Sequence, residues 1–185
     1  MAWDELKKAD AGSWFGPQFK GERLPLLQDV LRTVNGQCKV LIEIKDGGKY
    51  YPGIEEKVWE AIKEYHAESW CLIQSFSQYA VEHFSSLKTG LPVYKLVVGN
   101  IPVLPICIDH KLRWGSVLKY RQFAGINPYR KFFRKRFVRK LHKRGQEIFV
   151  WVINKEDDMK KLIAAGVDGI ITNYPDRLKK LLGRE

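Results

Sequence analysis

Short apolar runs alternate with amphipathic helical patterns along most of the chain, and this alternation is what most restricts its possible folds. The runs are rich in β-branched residues and recur roughly every 20–30 residues, as repeated strand–helix units do. They predict buried parallel strands over residues 40–45, 71–76, 93–98, 123–127, 148–154 and 169–173. The intervening patterns predict helices over residues 25–34, 53–65, 77–87, 129–143, 155–165 and 175–182. This series indicates an α/β fold, either a parallel barrel or a doubly wound sheet.

The length and composition fit one globular domain comprising residues 1–185. The chain is 45% hydrophobic and 12% aromatic, which excludes a disordered tail and a collagen-like fibre. Its three cysteines show no CxxC spacing, which argues against a disulfide framework and against a zinc site. A complete (β/α)₈ barrel takes roughly 200 residues or more, so the chain is slightly short for one.

The N-terminal segment does not have the composition of a signal peptide. Residues 1–8 are charged and lack an apolar core segment. The longest apolar stretch, residues 91–108, is interrupted by Lys95 and three prolines, so it is not expected to span a bilayer. We therefore expect a cytoplasmic protein without a transmembrane helix.

Basic residues are concentrated in one segment. The formal net charge is +11, and residues 130–144 hold nine Lys or Arg and no acid. Phe133, Phe137 and Leu141 recur every four residues, which predicts an amphipathic helix with a basic outer face. This face either binds an anionic partner, such as lipid headgroups or nucleic acid, or is only solvated. The aromatic residues have core spacing and form no base-stacking platform, so nucleic acid is not the expected partner.

The first predicted strand carries two charges on one face. Side chains alternate along a strand, so Glu43 and Lys45 point to the same side near its C-terminal end. Parallel α/β folds place their active sites at that end. Two interpretations stay open: the carboxylate holds Mg²⁺ or Ca²⁺ while the lysine holds a phosphate, or the two form a structural ion pair.

Other strand ends contribute further candidate residues. Phe76 and Trp151 are aromatic residues in or beside the predicted strand ends. No G-x-S-x-G nucleophile motif and no phosphate-binding glycine loop is present. Residues 99–118 are predicted as an irregular loop with a short helix. Within this loop, Asp109 and His110 are weaker candidates, either near the mouth of a site or on the surface.

Several ordered segments resemble the glycerophosphodiester phosphodiesterase family. They are DAGSWFGP at 10–17, GERLPL at 21–26, IEIK at 42–45, QSF at 74–76, VWVIN at 150–154 and GVDGIITNYP at 166–175. The resemblance runs from residue 5 to residue 178. It implies a TIM-type (β/α) barrel of the phosphatidylinositol-phospholipase-like phosphodiesterase kind. It also implies metal-dependent hydrolysis of a small glycerophosphodiester substrate to an alcohol and glycerol 3-phosphate, with Mg²⁺ or Ca²⁺ as the cofactor.

The resemblance further implies roles for individual residues. Glu43 matches the metal-binding glutamate of an E-x-K motif, and Lys45 matches its lysine, which contacts the phosphate. Phe76 and Trp151 match aromatic residues that line the mouth around the glycerol. The family mechanism uses acid/base chemistry by two histidines, with the metal polarising the phosphate. His110 does not occupy a matching position.

The sequence departs from the family in its catalytic motifs. It has no counterpart of the H-R-G motif of the first strand, the E-x-D motif of the second, or the H-D motif that follows. We therefore expect an N-terminally truncated barrel of about six strand units with impaired phosphodiesterase activity. The alternative is a non-catalytic, degenerate barrel that binds anionic lipid or nucleic acid through the basic segment 130–144. Exposed edges of an incomplete sheet also predict a homodimer.

Overall fold

The computed structural model of the protein describes residues 2–101, 106–108 and 114–184. Its strands are β1 (Val40–Glu43), β2 (Cys71–Ser75), β3 (Val93–Val97), β4 (Gly99–Ile101), β5 (Ile106–Ile108), β6 (Trp114–Ser116), β7 (Gly125–Pro128), β8 (Phe149–Val150) and β9 (Gly169–Ile170). Its α-helices are α1 (Trp3–Leu6), α2 (Leu27–Val34), α3 (Ile54–Glu64), α4 (Gln78–Ser86), α5 (Lys135–His142), α6 (Glu156–Ala165) and α7 (Pro175–Leu181). Short 3₁₀ turns span Pro17–Phe19, Gly47–Lys49, Val117–Tyr120 and Arg130–Phe132.

Six strands form one parallel arrangement whose spatial order follows the chain. β1, β2, β3 and β7 pair in that order, and β8 pairs with β9. Backbone hydrogen bonds join β7 to residues 147–151 and so connect the two sets. The Ile126 amide donates to the Glu147 carbonyl at 3.1 Å, and the Arg130 amide donates to the Trp151 carbonyl at 2.9 Å. Helices connect most of these strands, as parallel pairing requires. The predicted α/β fold with parallel strands is therefore confirmed.

The inner face of this sheet is strongly concave. Tyr94 in β3 and Phe149 in β8 are separated by β7, so a flat sheet would hold their strands about 10 Å apart. Their ring centroids nevertheless lie 4.8 Å apart, stacked at 26°. The Tyr94 hydroxyl also donates to the Glu147 carboxylate across the same gap. Such curvature is that of a barrel wall.

Local sequence explains where the elements begin, end and approach one another. Helix α6 opens with three acidic residues, which favour a helix N-terminus, and it ends at Gly166 with φ +78°. β7 passes so close to its neighbour that a Cβ at Gly125 would lie 2.3 Å from the Glu147 carbonyl oxygen. Only glycine allows this approach, so the residue permits β7 to join the wall.

The main core lies between the outer face of the sheet and the helices. Strand side chains such as Ile73 and Val97 are fully buried there against helix residues such as Phe84, Leu141 and Met159. β2 and β3 are buried along their whole length, which fits their largely apolar sequences. Among the strands described, β1 and β9 stand at the two edges of the parallel arrangement. Homodimer pairing through those edges stays a prediction.

The prediction of an irregular loop at 99–118 is wrong in part. β4, β5 and β6 form a small antiparallel sheet there, and the short helix is the 3₁₀ turn Val117–Tyr120. Strands of three residues are too short to show the alternation that identifies longer ones. The candidates Asp109 and His110 lie outside the described residues.

The basic helix is shorter than the predicted 130–144. Residues Arg130–Phe132 form a 3₁₀ turn, Phe133 and Arg134 are extended, and α5 covers only Lys135–His142. The Arg130 amide is held by the Trp151 carbonyl, and the extended backbone at Arg134 (φ −141°) separates the 3₁₀ turn from α5. Repulsion between like charges four residues apart further disfavours a longer helix. The predicted apolar stripe is confirmed on α5, where its aromatic and aliphatic residues are buried.

Membrane-spanning helices are not found within the described ranges, where no helix combines enough length with enough apolar character to cross a bilayer. The longest of these helices, α3, has 11 residues. A transmembrane helix needs about 20. The cytoplasmic location stays a prediction.

Candidate functional site

Glu43 and Lys45 lie together at the C-terminal end of β1. Ile44 between them is buried, at 2% exposed, so the two charged side chains share the other side of the strand. The Lys45 ammonium is 2.7 Å from Glu43 Oε1. The Glu43 side chain is 26% exposed, whereas that of Lys45 is 76% exposed. The two residues therefore form an ion pair whose lysine is accessible to an incoming anion.

Phe76 and Trp151 are in contact although they follow strands far apart in the sheet. Phe76 follows β2 and Trp151 follows β8. Their ring centroids are 5.3 Å apart with planes at 87°, an edge-to-face contact. Tyr129, which follows β7, adds a third ring at 5.1 Å from that of Trp151. We call these three residues the aromatic wall. They lie at the same rim of the sheet as Glu43 and Lys45, because every one follows or ends a parallel strand.

Asn127 links the strands beneath the aromatic wall. It is 0% exposed, and its Nδ2 donates to Gln74 Oε1 at 3.0 Å across the intervening β3. Its Oδ1 accepts the Phe149 amide at 3.0 Å, and its carbonyl accepts Trp151 Nε1 at 2.8 Å. Each of these groups is thus satisfied in a buried environment, which fixes the orientation of the Trp151 ring.

Lys95 is a buried cation that the sequence analysis considered only as an interruption of an apolar stretch. It is 1% exposed, and its ammonium donates to the carbonyls of Phe76 at 2.7 Å and Leu96 at 2.9 Å. The ammonium also lies 5.6 Å from the centre of the Tyr120 ring. A lysine inside the buried strand sequence VYKLV was the available signal. Its role is to hold the backbone of Phe76, and hence the aromatic wall, against β3.

The strand-end site offers a poor set of metal ligands among the residues that the structure describes. Mg²⁺ and Ca²⁺ take about six or more oxygen ligands. Glu43 supplies one carboxylate, and Lys45 already occupies one of its oxygens. No group of three carboxylate, histidine or cysteine ligands gathers there within the described ranges. On these residues the site does not fit a bound Mg²⁺ or Ca²⁺, so the predicted metal role of Glu43 stays a prediction.

One other group in the described ranges has the spacing of a metal site. It consists of Glu55, Glu56 and His83, whose ligand atoms lie within 4.8 Å of one another. These residues belong to α3 and α4, not to the strand ends. No local sequence pattern identifies them, because the two helices come together only through the fold.

Comparisons with known proteins agree with the fold. The model of the glycerophosphoryl diester phosphodiesterase family matches residues 1–177. The chain is 36% identical to a glycerophosphodiester phosphodiesterase of Caldanaerobacter subterraneus, over 97% of this chain and 70% of the relative.

Two solved structures resemble the chain with a TM-score of 0.78. One is a glycerophosphodiester phosphodiesterase from Parabacteroides distasonis, 21% identical over 98% of this chain and 71% of that one. The other is an Oleispira antarctica phosphodiesterase in complex with the product sn-glycerol-3-phosphate, 22% identical over 99% of this chain and 71% of that one. At this identity the likeness concerns the fold alone, and it confirms the predicted TIM-type architecture.

Proposed function

The chain belongs to the glycerophosphoryl diester phosphodiesterase family, and from this premise we propose that its strand-end rim binds glycerophosphodiesters for hydrolysis to an alcohol and glycerol 3-phosphate. One observation carries the proposal. The accessible Glu43–Lys45 pair and the Phe76–Trp151 contact both lie at the C-terminal rim of one concave parallel sheet. The complex of the Oleispira antarctica relative with sn-glycerol-3-phosphate supports a small phosphorylated ligand.

In this proposal Lys45 binds the phosphate. Its ammonium is a compact point charge on a flexible stem, and it is largely exposed at the rim. Glu43 holds it at 2.7 Å, which keeps the ammonium near the strand end until a phosphate oxygen shares the contact. Glu43 thus positions the cation, and Lys45 touches the substrate.

The aromatic wall binds the carbon skeleton of the glycerol. Phe76 and Trp151 are half-buried, so each presents part of its ring to solvent at the rim. Their edge-to-face contact and the hydrogen bond from Trp151 Nε1 to Asn127 fix both rings before the ligand arrives. A preorganised apolar surface beside a phosphate-binding cation suits a polar head attached to a short carbon chain.

Turnover by this chain alone is proposed to be slow. In the family, the histidines that act as acid and base belong to H-R-G and H-D motifs. Neither motif occurs in this sequence. Glu156 and Asp158 have E-x-D spacing, but they lie in the first turn of α6 and not on a strand. His83 and His142 lie on helices and contact other carboxylates. General acid/base catalysis contributes about 10²–10⁴-fold, so a loss of this size is expected.

The test uses binding as its main measurement, because binding does not depend on turnover. Glycerol 3-phosphate is titrated into the purified chain by calorimetry, and into the variants Lys45→Met and Lys160→Met. Lys160 is an exposed lysine on α6 and serves as the matched control. We expect at least tenfold weaker binding for Lys45→Met and unchanged binding for the control. Equal affinity of the two variants for glycerol 3-phosphate would show that Lys45 does not bind the phosphate.

A parallel assay tests the impairment. Release of glycerol 3-phosphate from glycerophosphocholine is measured for the chain and for the Caldanaerobacter relative. Equal rates would overturn the proposal of slow turnover while leaving the binding site intact.

A second candidate function rests on a basic cleft formed mainly by α5. Its lining consists of Arg136, Arg139, Lys140, Lys143 and Arg144. None of these residues makes an ion pair with an acidic residue in the described part of the chain. Partial burial and the neighbouring Arg121 lower the pKa of Arg144, as expected where positive charge is uncompensated. The cleft favours an anionic lipid surface as the partner.

Vesicle sedimentation tests this candidate with a charge-matched control. The double variant Arg139→Glu/Lys143→Glu reverses two charges in the cleft, and Lys179→Glu/Lys180→Glu reverses two on α7. We expect binding to phosphatidylserine-containing vesicles to disappear only in the cleft variant and to weaken with salt. Equal loss in both variants would show that net charge, not the cleft, is responsible.

A further inference from the structure

Glu55, Glu56 and His83 form a compact group on the helix layer, which we call the α3–α4 ligand group. Both glutamates lie in the first turn of α3, and His83 lies near the end of α4. One ligand atom of each lies within 4.8 Å of those of the other two. The proposed phosphodiester site uses none of these residues, so the arrangement needs a separate explanation.

Glu55 is a fully buried carboxylate with an incomplete set of partners. It is 0% exposed, and its Oε1 accepts one hydrogen bond from the Gly48 amide at 2.8 Å. Its Oε2 is buried and has no hydrogen-bond partner. Among the lysine and arginine side chains that the structure describes, none forms an ion pair with it. Burying an ionised carboxylate is strongly unfavourable unless a cation or several hydrogen-bond donors compensate for the lost water. A bound cation would therefore stabilise Glu55.

Glu56 and His83 supply the other two ligands. His83 Nε2 is 2.6 Å from Glu56 Oε1, while Glu56 Oε2 is also buried without a partner. The His83 ring is stacked on Tyr79, with centroids 5.4 Å apart at 15°, and this contact restricts its orientation.

A glycine turn covers the group. A Cβ at Gly47 would lie 2.6 Å from Glu55 Oε1, and one at Gly48 would lie 2.9 Å from Glu55 Oε2. A side chain at either position would therefore occupy the space beside the carboxylate. Because only Asp46 separates this turn from Lys45, a ligand held by Glu55 would also tie the strand-end loop to both helices.

We propose that Glu55, Glu56 and His83 bind one divalent transition-metal ion, for which Zn²⁺ is the best match. A mixed set of two carboxylates and one imidazole suits zinc, whereas Mg²⁺ and Ca²⁺ prefer oxygen ligands alone. Zinc bonds of about 2.1 Å place tetrahedral ligands about 3.4 Å apart, so the Glu56–His83 contact has to open by less than an ångström. The cysteine spacing that argued against a zinc site is irrelevant here, since no cysteine takes part.

Calorimetric titration of the metal-free full chain with ZnCl₂ tests the proposal. We expect one equivalent to bind, and Glu56→Gln and His83→Ala each to weaken the binding at least tenfold. The matched control is His142→Ala, because His142 makes a similar contact of 2.8 Å with Asp168 but belongs to no such group among the described residues. Glu43→Gln is expected to leave the affinity unchanged, which separates this site from the strand-end site.

Two further measurements keep the proposal testable if a variant fails to fold. The thermal unfolding midpoint of the unmodified chain is expected to rise with Zn²⁺ and to return to its starting value after chelation. Co²⁺ substituted for Zn²⁺ is expected to give the visible absorption of a four-coordinate site with nitrogen and oxygen ligands. Absence of zinc binding in the unmodified chain, or unchanged affinity in folded His83→Ala, would overturn the proposal.

Discussion

The rings of Phe76 and Trp151 lie 5.3 Å apart although three strand-to-strand steps separate the strands that they follow. With about 4.8 Å per step, a flat sheet would hold their backbones about 14 Å apart. Curvature of the sheet brings the two residues together and closes the rim above Asn127. The contact is therefore both a measure of the barrel-like bend and a component of the proposed glycerol-binding surface.

Trp151→Ala should destabilise the fold, because it removes the ring contact with Phe76 and the hydrogen bond to the Asn127 carbonyl. Trp151 is only half-buried, so we expect a loss of about 2–3 kcal/mol in the free energy of unfolding, at or below the low end of the range for core tryptophans. Urea denaturation measures it. Trp14→Ala is the control, since that side chain is 81% exposed and should change stability by less than about 0.5 kcal/mol. Similar values for the two variants would contradict the structural role of the wall.

Asn127→Leu should cost about 2–4 kcal/mol, because it leaves both the side-chain oxygen Oε1 of Gln74 and the backbone amide of Phe149 without a partner. Adding Gln74→Leu removes one of these orphaned groups. We therefore expect the double variant to be less destabilised than the sum of the two single variants, in a double-mutant cycle measured by urea denaturation. Asn173→Ala, at an exposed position, is the control. Strict additivity in the cycle would show that the two amides act independently.

Much of the fold was predictable because its signals are local. The apolar runs around Ile42, Ile73 and Leu96 predicted strands that the structure contains, with ends that differ by one or two residues. Alternation within the first strand also predicted that Glu43 and Lys45 share a side, and the two are in contact. The family resemblance indicated a TIM-type barrel, which the alternation alone did not distinguish from a doubly wound sheet.

What the sequence did not predict depends on long-range geometry. The contact between Glu55 and the glycine turn, and its proximity to His83, requires α3 and α4 to pack side by side. The buried amine of Lys95 donates to the Phe76 carbonyl at another strand end, a contact that no local pattern reveals. The start of the basic segment is also tied to another strand, because the Arg130 amide donates to the Trp151 carbonyl, again a contact distant in sequence.

Asp10→Ala should loosen the turn near the N-terminus. The Asp10 carboxylate accepts the backbone amides of Ser13 at 2.7 Å, Gly21 at 2.8 Å and Gly12 at 2.9 Å. These hydrogen bonds hold its pKa well below the usual range, so their stabilisation is present above the ordinary carboxyl pKa and is lost as pH falls through the lowered one. We expect faster amide hydrogen exchange at the three donors in the variant. Asp4→Ala, at an exposed side chain, should leave their exchange unchanged.

Tyr94 should make the fold sensitive to alkali. Burial, and then the hydrogen bond to Glu147, raises the pKa of its phenol above the ordinary value of about 10. The folded state keeps the proton while the unfolded state ionises, so the free energy of unfolding falls as pH rises above about 10, by at most about 1.4 kcal/mol per unit. Burial also raises the pKa of the Cys71 thiol to about 11. This thiol therefore lowers the free energy of unfolding at alkaline pH as well, and it does so equally in every variant.

Comparison with Tyr94→Phe isolates the contribution of Tyr94, because the thiol of Cys71 is common to both proteins. At neutral pH the variant should be less stable by about 1 kcal/mol, since the Glu147 carboxylate loses its donor. Above pH 10 the difference between the two proteins should narrow, as only the unmodified chain loses stability through this phenol. Tyr51→Phe, at a residue 60% exposed, should show a constant difference over the same range. Urea denaturation at intervals between pH 8 and pH 11 measures both curves, and parallel curves for Tyr94→Phe and the unmodified chain would contradict the assignment.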